Sequence, residues 1–204
     1  MAVPRRSALL DLQLAALANQ NLNFLTTGKP PRRYGNAHPN IVPYQVFRTS
    51  DGSFVLAVGN DQQFRKFCMA SGLERLCDDP RFTTNTDRLK NREELVAILT
   101  AHLAQETTEH WIALLEPIGV PCAPINRLDQ AFAHPQVVHR ELQINLPHTT
   151  GKTVPLVANP IKFSQTEIEY SISPPMLGEH TKQVLHSILD IGDDEISRLE
   201  KDKV

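Results

Sequence analysis

One short stretch restricts what this chain can fold into more than any other. It is Gly35 to Phe47, Gly-Asn-Ala-His-Pro-Asn-Ile-Val-Pro-Tyr-Gln-Val-Phe. Pro39 and Pro43 fix φ and hold the residue before each extended, so the segment is not a helix. Gly35 opens it with access to backbone angles closed to other residues. Asn36, His38 and Asn40 place uncharged polar groups two residues apart, and an apolar alternating run follows. The residues support two readings. One is a surface loop before a hairpin. The other is a rigid loop offering hydrogen bonds without charge to a thioester, an amide chain or a carboxylate.

The remaining chain brackets this loop with helices and short strands. Ser7 to Thr27 has Leu10, Leu14, Leu17 and Ala18 at helical spacing, with Gly28 and Pro30 to stop it. Ser7 is the expected cap of that helix. Tyr44–Arg48 and Ser53–Val58 read as a hairpin about Ser50-Asp51-Gly52. Asp61 to Ala70 reads as a helix capped by Asp61, with Phe64, Phe67 and Cys68 inward. Asp78-Asp79-Pro80 reads as a turn. Asn91 to Gln105 carries Leu95, Ile98, Leu99, His102 and Leu103 on one face. Thr107 or Thr108 caps a helix that buries Trp111, Leu114 and Leu115. Gly119 to Ile125, broken by two prolines, suits an edge strand. Asn126 caps a short helix to Phe132, and His134-Pro135 begins another. Leu142–Leu146 and Thr153–Val157 read as strands, Pro160–Phe163 as a short extended segment. Helices about His180–Leu189 and Asp193–Lys201 end the chain.

Composition narrows the functional classes. The 204 residues suit one domain or one and a half, and 41% hydrophobic with 22% charged residues is globular usage. A net charge of -2 gives no reason to expect nucleic acid or an anionic membrane as partner. No apolar run approaches the ~18 residues of a membrane span. Asp11 and Gln13 interrupt the early apolar run, which argues against a signal peptide. Cys68, Cys77 and Cys122 lack paired or metal-ligand spacing and read as reduced thiols of a cytoplasmic compartment. There is no serine nucleophile elbow, no His-Glu-x-x-His and no phosphate-binding glycine loop. His38, His134, His139, His148 and His180 are scattered. Arg32 and Arg33 are either a lure for a substrate carboxylate or plain solubility charges.

An ordered set of short motifs gives a sharper expectation. Ala15-Ala16-Leu17-Ala18-Asn19-Gln20 and Thr27-Gly28-Lys29-Pro30-Pro31 precede the loop. Asp51-Gly52, Ala57-Val58-Gly59-Asn60-Asp61, Asp79-Pro80-Arg81-Phe82 and Asn91-Arg92-Glu93-Glu94-Leu95 follow it. Gly119-Val120-Pro121, His134-Pro135-Gln136-Val137 and Pro174-Pro175-Met176-Leu177-Gly178-Glu179-His180-Thr181 complete the series. This order resembles the class III CoA-transferases, the family of formyl-CoA, carnitinyl-CoA and succinyl-CoA:glutarate transferases, from about Leu9 to the C-terminus.

The resemblance implies an α+β fold, with a small mixed domain of hairpins and helices over residues 35–162. Residues 1–34 and 163–204 are expected to belong to a larger, mostly absent nucleotide-fold domain. It implies movement of CoA between carboxylic acids through an aspartyl-acyl anhydride, with coenzyme A as substrate and neither metal nor redox cofactor. In the family the nucleophilic aspartate lies upstream of the helix at which this chain begins. The chain is therefore expected to be a C-terminal portion, inactive alone, with no catalytic residue of its own. The apolar stripe of its first helix is expected to be exposed. The expected partners are acyl-CoA and carboxylic acids, together with an interlocked homodimer or a complementary N-terminal half. Gly35, Asn36, His38 and Asn40 occupy the place of the family's lid loop, here without its glycine run and closer to the dicarboxylate-handling branch. Two alternatives remain: a non-catalytic assembly domain, and a fragment of an acyl-CoA racemase of the same fold.

Overall fold

The computed structural model describes residues 8–202, which divide into two compact units, one ending at Ile125 and the other starting at Asn126. The fold is α+β, helices with two small antiparallel sheets.

In the first unit, strands β1 (Tyr44–Arg48), β2 (Ser53–Ala57) and β3 (Cys122–Pro124) pair in the order β1-β2-β3. Val46 lies opposite Val55, and Leu56 opposite Cys122. Side chains alternate across a strand, so Phe54 and Leu56 of β2 point to one face and are fully buried. Prolines are tolerated in β3 because it is an edge strand. Helices α3 (Asp61–Ala70), α4 (Arg75–Asp78), α5 (Asn85–Lys90), α6 (Arg92–Leu103) and α7 (Thr108–Leu115) complete the unit's body. Phe64, Phe67 and Cys68 of α3, Leu95, Leu99 and Leu103 of α6, and Trp111 and Leu115 of α7 form one core with Phe47, Phe54 and Phe82. Each such side chain contributes roughly 1.5–3 kcal/mol by leaving water. The indole N–H of Trp111 donates to the Leu103 carbonyl at 2.9 Å, so its burial leaves no unpaired donor.

The hairpin tip also fastens α7. Thr107 caps that helix through the His110 N–H, while Asp51 Oδ1 accepts from the Thr108 N–H at 2.8 Å. That backbone bond is the main reason the Asp51 carboxyl sits below its ordinary range.

Three local expectations need correction. The helix expected from Ser7 to Thr27 is two, α1 (Leu9–Ala16) and α2 (Asn19–Thr27), broken at Ala18 with φ 45°; Ser7 lies outside the described residues. Neither helix buries a residue, so no packing enforces one continuous rod. The Asn21 amide instead takes the Leu14 carbonyl, the backbone competition that makes asparagine a poor helix interior. The cap of α3 is Asn60, not Asp61. Its side chain accepts from the Gln63 N–H at 2.9 Å, and Gln63 Oε1 accepts from the Gly59 N–H at 2.7 Å. Asp61 is left available for another bond. In the second unit, α8 (Leu128–Ala133) is capped at Arg127 rather than Asn126, because Gln130 reaches back to the Arg127 N–H at 2.9 Å.

The second unit continues with α9 (Pro135–His139), capped by His134, with proline at its permitted first position. A hairpin of β4 (Gln143–Pro147) and β5 (Thr153–Val157) follows. Residues 160–163 form no strand. The last helices are α10 (Thr181–Leu189) and α11 (Asp193–Asp202), with Ile196 buried.

Candidate functional site

The loop from Gly35 to Val42 folds on its own side chains. Gly35 has φ 63°, the left-handed conformation that its missing Cβ allows. Asn36 Oδ1 accepts from the Val46 N–H at 2.9 Å, tying the loop's start to β1. The His38 N–H donates to the Tyr44 carbonyl at 2.8 Å, and the imidazole stacks on the Tyr44 ring at 5.3 Å between centroids. His38 Nδ1 accepts from the Asn40 N–H at 3.1 Å, so a neutral ring carries its proton on Nε2. The Asn40 side chain exchanges two amide bonds with Asn23 of α2, at 3.0 and 3.2 Å.

Helices α5 and α6 hold the loop's main chain from the other side. Asn85 donates to the Asn40 carbonyl at 2.9 Å and accepts from the Val42 N–H at 3.1 Å. Arg92 Nη2 donates to the carbonyls of His38 and Pro39, both at 2.9 Å. Arg88 is fully buried. It donates to the Val42 carbonyl at 2.7 Å and the Phe82 carbonyl at 3.0 Å, and lies 4.4 Å from the Phe64 ring centroid. Asp61 supplies its counter-charge at 2.8 Å and also accepts from the Asn85 N–H. The loop is thus a rigid strap, its carbonyls held by two arginines and an asparagine.

The four loop residues singled out from the sequence do stand together, but Asn36 spends its carbonyl on β1, His38 its Nδ1 on the loop's own main chain and Asn40 its amide on Asn23 of α2. The N–H groups of Gly35 and Asn36 take no part in those bonds. Asn23, Asn85, Arg88 and Arg92 were not expected as partners of the loop. Arg88 and Asn85 meet it across more than forty residues, and no spacing in the sequence signals such a contact. Asn91-Arg92 belonged to a recognised motif, but that motif carried no role.

Beside the strap, Arg32, Arg33, Tyr34 and Arg92 border an open cleft of about 660 Å³. His134 is used as the cap of α9, and His148 bridges its own turn to the Pro174 carbonyl at 2.9 Å. Cys68 is fully buried, and that burial pushes its thiol pKa up, the opposite of an activated nucleophile. Among the described residues no three His, Cys, Asp or Glu side chains converge on a metal-sized site. No described helix is long and apolar enough to cross a membrane.

Residues 6–181 match the model of CoA-transferase family III, and the chain belongs to that family. It is 45% identical over 178 residues to a succinate–glutarate CoA-transferase of Agrobacterium fabrum, covering 87% of this chain and 44% of that protein. It is 38% identical over 191 residues to the succinyl-CoA:glutarate CoA-transferase of Mus musculus, covering 94% of this chain and again 44% of the relative. A crystal structure of a CAIB/BAIF family protein from Brucella suis superposes with TM-score 0.72 at 42% identity, over 87% of this chain and 46% of that one. The chain therefore spans less than half the length of these relatives.

Proposed function

We propose that this chain supplies the lid portion of a transferase that moves CoA between carboxylic acids of the dicarboxylate type. The nucleophilic carboxylate would come from outside residues 1–204. The observation that carries this reading is the make-up of the strap. Its hydrogen-bond partners are amides, arginines, main-chain groups and the His38 imidazole, and no carboxylate bonds it directly among the described residues. The carboxylate that joins this network, Asp61, is engaged by Arg88 and the Asn85 N–H rather than presented by the strap. The activities for which the Agrobacterium and mouse relatives are named support the substrate class.

The chemistry asks two things of such a lid. An acyl-aspartyl anhydride hydrolyses readily, so water must be kept out while acyl acceptors exchange. Each addition to the carbonyl also develops an oxyanion, which uncommitted N–H groups stabilise. A strap whose carbonyls are pinned by Arg88, Arg92 and Asn85 meets the first need without glycine-run flexibility. The Gly35 and Asn36 N–H groups meet the second.

A specific observation also favours association with further protein. Leu9, Leu10, Leu14, Leu22 and Leu25 of α1 and α2 are exposed, Leu9 at 86% and Leu25 at 76%. The test mixes purified chain with the separately expressed N-terminal half of the Agrobacterium relative, then assays succinyl-CoA with glutarate. The expected result is no transfer by the chain alone and transfer after mixing. Transfer by the chain alone, abolished by a substitution within it, would refute the reading.

A further inference from the structure

The cleft beside the strap carries more positive charge than the loop's own bonds use. Four cations border it, Arg32, Arg33, Lys90 and Arg92, against two carboxylates, Glu93 and Glu94. Most of the latter pair is accounted for elsewhere or sits at the rim: Glu94 is bonded to Arg81, and Glu93 is exposed on the first turn of α6. Lys90 lies 3.7 Å from Asp87. The three arginines make no salt bridge among the described residues.

Arg92 is the fixed member. Both of its Nη2 bonds go to neutral carbonyls, and its guanidinium carbon stands 5.0 Å from the Tyr34 ring centroid. Its Nη1 is buried without a hydrogen-bond partner. Burial disfavours this charge, Tyr34 offsets part of that, and no carboxylate pairs with it among the described residues. Arg32 and Arg33, which precede Tyr34 in the chain, line the same cleft with exposed side chains.

We propose that this cleft is an oxyanion-binding site, in which Arg32 and Arg33 grip a carboxylate or phosphate group and Arg92 provides a fixed positive charge beneath it. Guanidinium forks match both groups in geometry and bind them through paired charge-assisted hydrogen bonds. The proposal stands on the cleft itself and holds whether or not the chain takes part in CoA transfer.

The test is calorimetric titration of the full chain with glutarate and with inorganic phosphate, using uncharged glutaramide as control. The expected result is binding of at least one anion, none of glutaramide, and a dissociation constant about tenfold higher in Arg32→Gln/Arg33→Gln. That double variant alters exposed side chains only, so it decides the matter even where Arg92→Met, the companion variant, unfolds. Tighter glutarate assigns the natural ligand to the carboxylates, and tighter phosphate to the phosphates. Failure of both anions to bind the unaltered chain overturns the proposal, as does a double variant that binds like the parent.

Discussion

Two stretches of the first unit use the same apolar residues to opposite effect. Between Val42 and Val120, leucines and phenylalanines at helical and strand spacing are buried, and Leu95, Leu99 and Leu103 of α6 lose all contact with water. Between Leu9 and Leu25 leucines also recur at helical spacing, yet neither α1 nor α2 buries a single side chain. Periodicity specifies a face, and only an opposing surface turns that face into stability. At roughly 25 cal/mol per Å² of apolar surface removed from water, α1 and α2 have most of their contribution still to gain. The strap lies between these regimes: anchored to the core by Arg88, and to α2 by the Asn23–Asn40 amide pair.

The sharpest way to break this contrast is at Arg88. Replacing it with Met leaves the Val42 and Phe82 carbonyls without their donor, at about 1–3 kcal/mol each. Urea unfolding should show a loss of roughly 2–6 kcal/mol. An unchanged midpoint would mean that the strap is not part of the core's cooperative unit.

Asn85→Ala comes next. It removes one bond from the Asn40 carbonyl and one from the Val42 N–H, for about 1–2 kcal/mol. Hydrogen exchange should quicken at Val42 and leave Leu99 protected. Leu10→Gln with Leu14→Gln should move stability by no more than about 0.5 kcal/mol, since both side chains are already in water. The same pair should lower self-association in light scattering, and a large stability loss would show that these leucines are covered.

The smallest effect is electrostatic. Arg81, hydrogen-bonded to Asp79, holds that carboxyl at about 2 against an ordinary 3.8. A depressed carboxylate contributes stability that is complete above its unfolded value and lost as pH falls through its folded one. The Tm difference between the parent and Asp79→Asn should therefore be constant at neutral pH, shrink below roughly pH 4 and disappear as the pH falls through about 2. A difference that persists into acid would assign the effect to packing instead.

What could be read from the sequence was local. Gly35, the Ser50-Asp51-Gly52 turn and the α6 stripe act through neighbours a few residues away, and each stands where the pattern put it. The ordered motifs pointed to the family that the comparisons show. What escaped was long-range or competitive. The core arginine at position 88 has no periodic signature, because a buried charge is tolerated only by partners distant in the chain. The break at Ala18 reflects missing packing and an asparagine side chain taking a helix carbonyl. The shift of the α3 cap to Asn60 frees Asp61 for Arg88, a trade visible only when both are in place.

The proposed role of the strap is to serve a nucleophile lying outside residues 1–204. The most direct measurement incubates the chain with succinyl-CoA, alone and with the complementary half of a relative, then traps acyl-carboxylate intermediates with hydroxylamine and maps them by mass spectrometry. The modification should be absent from the chain alone and, in the mixture, should fall on the added half. A trapped Asp or Glu within residues 1–204 would contradict the account.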